Sequence, residues 1–208
     1  MKTSSLHTSF IVILCVICVP GLFTGCRGGP DQSRYDVLKN PCISKKPGQK
    51  MIVVEMKGDP NETGGKAFPV LFKTYFGLKK QVKDLDSRVA PRARWPEPFD
   101  TPRDSWVGIY GLPVPESVIQ LPDAGKNGME VKVNLEYWEY GEVAEILHVG
   151  PYSKEGPDIK RVRAFIDKQG YEIAGAHEEE YLVGPGMFFK GNPEKYKTII
   201  RYPVKKKN

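Results

Sequence analysis

The chain begins with a short polar stretch, followed by an unbroken apolar run from Phe10 to Val19. Beyond it the apolar positions become periodic, and the period changes along the chain. Met51-Ile52-Val53-Val54-Glu55-Met56 is a β-rich run ending at the turn signal Lys57-Gly58-Asp59-Pro60. Phe68, Leu71, Phe72, Tyr75, Leu78 and Val82 then recur at three- and four-residue spacing, which predicts a helix lying on a sheet. Thr63 or the Gly64-Gly65 pair opens this helix, with Pro69 tolerated in its first turn. The simplest role for its aromatic stripe is core packing.

Residues 84–104 hold Pro91, Pro96, Pro98 and Pro102 among mixed charges and read as a long loop. Ser105 to Gly111 is strand-like, and Leu112 to Gly128 is a second Pro/Gly-rich connection. From Glu130 to Tyr137 the pattern alternates, with Val131, Val133, Leu135 and Tyr137 on one face. The alternation slips at Tyr137-Trp138, a sign of a bulge or strand end. Val143 to Val149 is another strand, and Gly150-Pro151-Tyr152 a turn. Asp158 to Gly170 is a helix with Ile159, Val162, Phe165 and Ile166 inward and Gly170 as its C′ residue. Tyr171 to Val183 gives a strand or strand pair. Thr198 to Val204 is the last strand, where Pro203 suits an edge or strand end.

The order is strand, helix, strand, strand, twice over. Gly58 and Gly150 occupy equivalent places between a strand and a helix, and Tyr110 and Tyr181 look equivalent near strand ends. This weak internal repeat predicts an α+β fold. Two pseudo-twofold βαββ repeats would form one antiparallel-rich sheet, with two helices on one face and a ligand groove on the other.

Charge and cysteine usage add a destination. The apolar run follows Lys2 and precedes Gly21-Leu22-Phe23-Thr24-Gly25-Cys26, a signal-peptide layout over residues 1–25. Its length falls short of the ~18–20 apolar residues of a spanning helix, although an uncleaved N-terminal anchor is the alternative. Phe23-Thr24-Gly25-Cys26 resembles the lipobox of bacterial lipoproteins, in which the residue at Cys26 becomes the lipidated first residue of the mature protein. Phe23 stands where that motif usually has Leu. The expected product is an exported, membrane-anchored lipoprotein on the periplasmic or outer cell-surface side. Residues 26–50 would be its tether and 51–208 its folded domain.

Cys15 and Cys18 lie inside the apolar run and read as apolar residues, which leaves Cys42 as the free thiol. A Cys26–Cys42 bridge is open only without lipidation. The chain of 208 residues carries a formal net charge of +6, much of it in Lys45, Lys46, Lys50 and Lys205-Lys206-Lys207. These runs lack the interleaved aromatics of a nucleic-acid surface, so no nucleic-acid partner is expected. No metal site is expected either, since His148, His177 and Cys42 make no ligand cluster.

The densest chemistry lies in residues 143–185. "LHVGPYSKEG", the helix after it, "GYEIAG", "EEEYLVGP" and the closing "IIRYPVKK" resemble the GyrI-like domain. That fold also serves as the effector-binding domain of AraC-type and multidrug-responsive regulators, and SOUL-type haem proteins share the architecture. The match is good over 143–204 and looser over 51–141. The resemblance implies a central groove whose floor carries the Glu of a Glu-x-Tyr motif, here Glu179 with Tyr181. Strand alternation turns Glu178 and Glu180 to the opposite face from Glu179, solvent-facing or under the helices' rim.

Of the aromatics available to wall a groove, Trp106, Tyr110, Tyr137 and Tyr181 are favoured over Trp138, Tyr140 and Tyr152. Aromatic faces around one carboxylate suit a flat organic cation. The expected activity is therefore binding of a small, aromatic or cationic organic molecule, without a cofactor. One alternative is a hydrolase acting on electrophilic rings, with Glu179 and Tyr181 as catalytic residues and Tyr110 beside them. Another is haem binding of the SOUL type, through His148 or His177.

Overall fold

The computed structural model describes residues 33–83, 85–86, 88–98, 101–122, 131–185 and 191–208. The apolar run and Cys26, with the expectations attached to them, lie outside those residues.

Residues 33–50 contribute to the fold rather than forming a tether. A short helix α1 (Ser33–Asp36) leads through a 3-10 turn to β1 (Cys42–Lys46). This strand pairs with β6 (Gly141–Val149), from Cys42↔Glu145 to Lys46↔Gly141. An edge strand needs backbone pairing more than apolar side chains, and its lysines protect the open edge. That is why the composition of this stretch read as linker.

The first repeat is β2 (Gln49–Lys57), α2 (Pro60–Leu78), β3 (Arg92–Trp95) and β4 (Val107–Pro113). Then comes β5 (Asn134–Trp138), which ends where the alternation slips. The second repeat is β6, α3 (Gly156–Lys168), β7 (Tyr171–Ile173), β8 (His177–Val183) and β9 (Lys197–Lys206). The sheet runs β1-β6-β9-β8-β3-β4-β2-β5, with β7 also on β9. Every pairing is antiparallel. The α+β class and the doubled βαββ order are as the sequence predicts.

Two details differ. α2 starts at Pro60, because Asp59 caps it by accepting from the Asn61 N–H at 2.9 Å. The Asp-Pro pair read as a turn is thus N-cap and first helical residue. β3 lies inside the stretch expected as loop. It is four residues long, and Pro91 and Pro96 flank it.

The two repeats meet at the β3–β8 pair, and their correspondence can be counted out. Gly58, with φ +133°, donates its N–H to the Trp106 carbonyl; Gly150, with φ +138°, donates to that of Tyr196. Both glycines hold a conformation that side chains disfavour, which confirms their equivalence. Trp106 therefore matches Tyr196. Continuing along the ladders, Arg92 matches Glu178, Ala93 matches Glu179, Arg94 matches Glu180 and Trp95 matches Tyr181. Tyr181 is thus the counterpart of Trp95, not of Tyr110. Ala93 and Glu179 are also direct cross-strand partners, so the pseudo-twofold axis passes between them.

Residues opposite one another in an antiparallel pair share a face. On one face, Ile52, Val54, Tyr110 and Leu112 pack under Ala67, Leu71, Tyr75 and Leu78 of α2. On the same face Ala144, Ile146, Ile200 and Tyr202 pack under Val162 and Ile166 of α3. Each helix covers the apolar stripe of its own repeat, and the central β3–β8 strip lies between the two helix footprints.

Candidate functional site

The three consecutive glutamates of β8 part company. Glu179 is opposite Ala93 and in line with Ile200, so it points to the helix-bearing face, between α2 and α3. The groove carboxylate had been expected on the face away from the helices. Glu178 and Glu180 point to that other face, where they are neither solvent-facing nor under a helix rim.

There they meet a buried ion network. Arg201 from β9, 1 % exposed, donates from Nε to Glu145 at 2.7 Å, from Nη2 to Glu180 at 2.7 Å and from Nη1 to Glu178. Arg94 Nε donates to Glu178 at 2.7 Å, and Arg94 stacks on the Trp138 ring at 3.9 Å. Tyr140 donates to Glu178 and accepts from Arg92. The pseudo-twofold explains the charge pattern. Arg92 and Arg94 stand in one repeat where Glu178 and Glu180 stand in the other, so opposite charges pair across the axis. Burial would raise the Glu180 carboxyl, but Arg92 and Arg201 outweigh it and hold it below its ordinary value. Burial pulls Arg201 down, and the three carboxylates more than reverse that.

Glu179 has different company. It is 12 % exposed. Tyr181 donates to it at 2.6 Å, and His177 Nε2 lies 2.9 Å from its other oxygen. His177, Glu179 and Tyr181 alternate on one strand, so all three reach the same face. Burial pushes the Glu179 carboxyl up, but His177 above all, with Tyr181 and the Trp95 indole, turns the balance and keeps it low. The Trp95 N–H is itself buried without a well-formed hydrogen bond.

A second carboxyl stands beside Glu179. Glu155, in the turn before α3, is 6 % exposed. Its own burial, then the charge of Glu179, raise it to about 9. One carboxyl is therefore ionised at neutral pH and its neighbour is neutral. Buried polar atoms whose hydrogen bonds are long or poorly aligned gather around the pair: Glu155 Oε1, Thr198 Oγ1 and Trp95 Nε1, with Tyr202 Oη near them.

Aromatic rings wall the pair. Tyr181 meets Phe68 at 5.9 Å and Tyr152 at 5.5 Å, and Tyr152 meets Tyr196 at 5.4 Å. Trp95 meets Trp106 and Tyr110, each at 5.6 Å. The expected residues divide accordingly. Glu179 and Tyr181 are in direct contact with each other. Tyr110 and Trp106 stand in a layer behind Trp95 and Phe68. Tyr110 is 1 % exposed, and since Thr63 donates to the Asp59 carbonyl, the Tyr110 hydroxyl donates to Thr63 at 2.6 Å.

Tyr137 is not in the site. It is 51 % exposed on β5, over Gly48. Sequence reasoning does not reach Trp95, Phe68, Tyr196, Tyr202 and Glu155 as site residues; it ranks Tyr152 below the favoured aromatics and weighs His177 only for haem. Strand alternation alone could have added His177 to Glu179 and Tyr181. Both ring nitrogens of His148 face oxygens, of Asp158 at 2.9 Å and of the Pro151 carbonyl at 3.2 Å. This histidine secures the turn into α3 and offers no free nitrogen to an iron.

No protein-family model matches the chain, and no curated protein does. Solved structures do. A conserved protein from Listeria innocua, itself described as uncharacterised, is 28 % identical with a TM-score of 0.66, covering 84 % of this chain and 97 % of its own. A protein from the same organism described as a hydrolase is 25 % identical with a TM-score of 0.64, covering 84 % and 96 %. The C-terminal domain of EcmrR shares the fold at 14 % identity and a TM-score of 0.56, covering 81 % and 98 %.

Proposed function

We propose that this chain is a GyrI-like small-molecule-binding domain that takes a flat organic cation between its two helices. The observation that carries the reading is Glu179. It is an ionised carboxylate held by His177 and Tyr181, with no arginine or lysine against it among the described residues, and it is ringed by aromatics. Its neighbours Glu178 and Glu180, by contrast, are matched to arginines. A delocalised cation would supply the charge and the ring contacts together. The shared fold with the EcmrR C-terminal domain is compatible with this reading.

The test is titration of the full chain with ethidium, a flat and permanently charged aromatic. Glu179→Gln should weaken binding by ~10–100-fold, the value of one charge-assisted contact. Equal affinity in that variant would overturn the site.

A second reading, hydrolysis of an electrophilic small molecule, is favoured by the split carboxyl pair. A base and a proton donor side by side are the elements of acid–base catalysis. The hydrolase-named relative from Listeria innocua is compatible with it. Glu179 would activate water and Glu155 would protonate the leaving oxygen of an opened ring. Hydrolysis of styrene oxide to its diol, abolished in Glu179→Gln, would support it; absence of turnover in the wild type would remove it.

We also infer where the chain resides. Supported by the apolar run and the Phe23-Thr24-Gly25-Cys26 motif, the domain is anchored outside the cytoplasm through lipid on Cys26. Cys26→Ser should then move the chain out of the membrane fraction.

A further inference from the structure

Glu155 belongs to no structural network comparable to that of Glu178 and Glu180. It is the N-cap of α3, and Tyr152 stands three residues before it, with the Glu155 N–H donating to the Tyr152 carbonyl at 3.2 Å. The Tyr152 ring contacts Tyr181, whose hydroxyl donates to Glu179. The turn therefore delivers Glu155 to the side of Glu179. Its side chain is more than nine-tenths buried, beside Glu179 and the Thr198 hydroxyl, and Oε1 makes no well-formed hydrogen bond. Thr198 beside it is wholly buried, and its hydroxyl favours the ionised form of Glu155 too weakly to offset burial and the charge of Glu179.

The groups that face Glu155 are Glu179 and Tyr181 from β8, Thr198 from β9, Asp158 from its own helix and Tyr152 from the turn. None of these is cationic. The nearby His177 is directed at Glu179, and Asp158 is taken up by His148 and Arg161. A carboxyl in this setting holds its proton for want of a positive partner.

We propose that Glu155 is a second ligand-binding carboxyl of the site, and that a cationic ligand lodged beside Glu179 expels its proton to solvent. The inference rests on the binding reading above and adds to it a second recognition residue and a pH dependence. It also narrows the ligand class. A positive charge spread over a ring system, or two cationic centres, can engage both carboxyls, whereas one compact ammonium is satisfied by Glu179 alone.

The sign follows from linkage. Binding that releases a proton strengthens as pH rises, until the empty site has lost that proton unaided. With Glu155 near 9 in the empty site, affinity should climb by up to ~tenfold per pH unit from pH 7 toward 9. Ethidium keeps its charge throughout, so the slope belongs to the protein.

The experiment is calorimetric titration of the full chain with ethidium at pH 7.5, in two buffers of different ionisation enthalpy. It is repeated across pH 6.5–9 and with Glu155→Gln. The expected result is close to one proton released per ligand in the wild type and none in Glu155→Gln, which still binds and still depends on Glu179. Binding without proton release in the wild type would overturn this inference and leave the binding reading standing. An undiminished pH slope in Glu155→Gln would also overturn it, by assigning the proton elsewhere. No ethidium binding by the wild type would overturn both. The calorimetric count in the wild type is independent of whether the variant folds.

Discussion

Replacing Arg201 by methionine should nearly unfold the domain at neutral pH. Arg201 is 1 % exposed and bonds at once to Glu145, Glu178 and Glu180, from three different guanidinium nitrogens. Methionine fills much of the same length but leaves those carboxylates without their shared cation. Breaking one buried pair by deleting a partner costs ~3–5 kcal/mol. Three carboxylates share this cation, so the loss should reach at least the upper end of that range. Arg94, Arg92 and Lys46 retain part of the compensation. Against a total stability of ~5–15 kcal/mol, such a loss takes most of a typical domain's margin. Urea denaturation of both proteins at pH 7, followed by fluorescence, gives the difference directly.

The pH dependence adds a second constraint. Glu180 lies below its ordinary value in the folded wild type. A depressed carboxyl contributes stability that is present above its unfolded value, ~4.3, and lost as pH falls through the folded one. In the variant the same burial acts on Glu180 without Arg201, so that carboxyl rises and resists ionising. The wild type should therefore exceed the variant most at pH 7, and the gap should shrink toward pH 4. A loss below ~1 kcal/mol at pH 7, or a gap that widens on acidification, would refute the reasoning. Either result would also undo the distinction between Glu178 and Glu180 as structural groups and Glu179 as the site.

Other expectations follow from single contacts. An added Cβ at Gly108 would lie 2.6 Å from the Tyr110 ring, so Gly108→Ala should cost ~1–3 kcal/mol in thermal denaturation by displacing that ring. Asp59→Ala removes the α2 cap and should cost ~1 kcal/mol by the same measurement. Tyr137→Ala should leave ethidium affinity unchanged, whereas Tyr181→Ala should weaken it, as fluorescence titration would show.

Much of the frame was legible in the sequence because it depends on local periodicity. Both long helices, the doubled order and the turn glycines Gly58 and Gly150 came from patterns of two and 3.6 residues. β3 was hidden, since Arg-Ala-Arg-Trp between prolines has the composition of a loop. Its strand character comes from two neighbours, β4 and β8, that pair with it from distant parts of the chain. Tyr137 was misplaced for the opposite reason. Its alternation was correct, but at its level of β5 nothing covers the side chain enough to bury it, so that it remains half exposed.

The sequence by itself determined that Glu179 must part from Glu178 and Glu180, because successive strand residues point to opposite faces whatever the fold. It also tied Glu179 to Tyr181 by the same rule. Only the tertiary structure decided which face each would meet. Arg92 and Arg94 reach Glu180 and Glu178 through the β3–β8 register, and Arg201 reaches both through β9. Glu155 comes beside Glu179 because a turn at the end of β6 places it there. A carboxylate's role depends on the charge and solvent around it, and here those are supplied by residues remote in the chain.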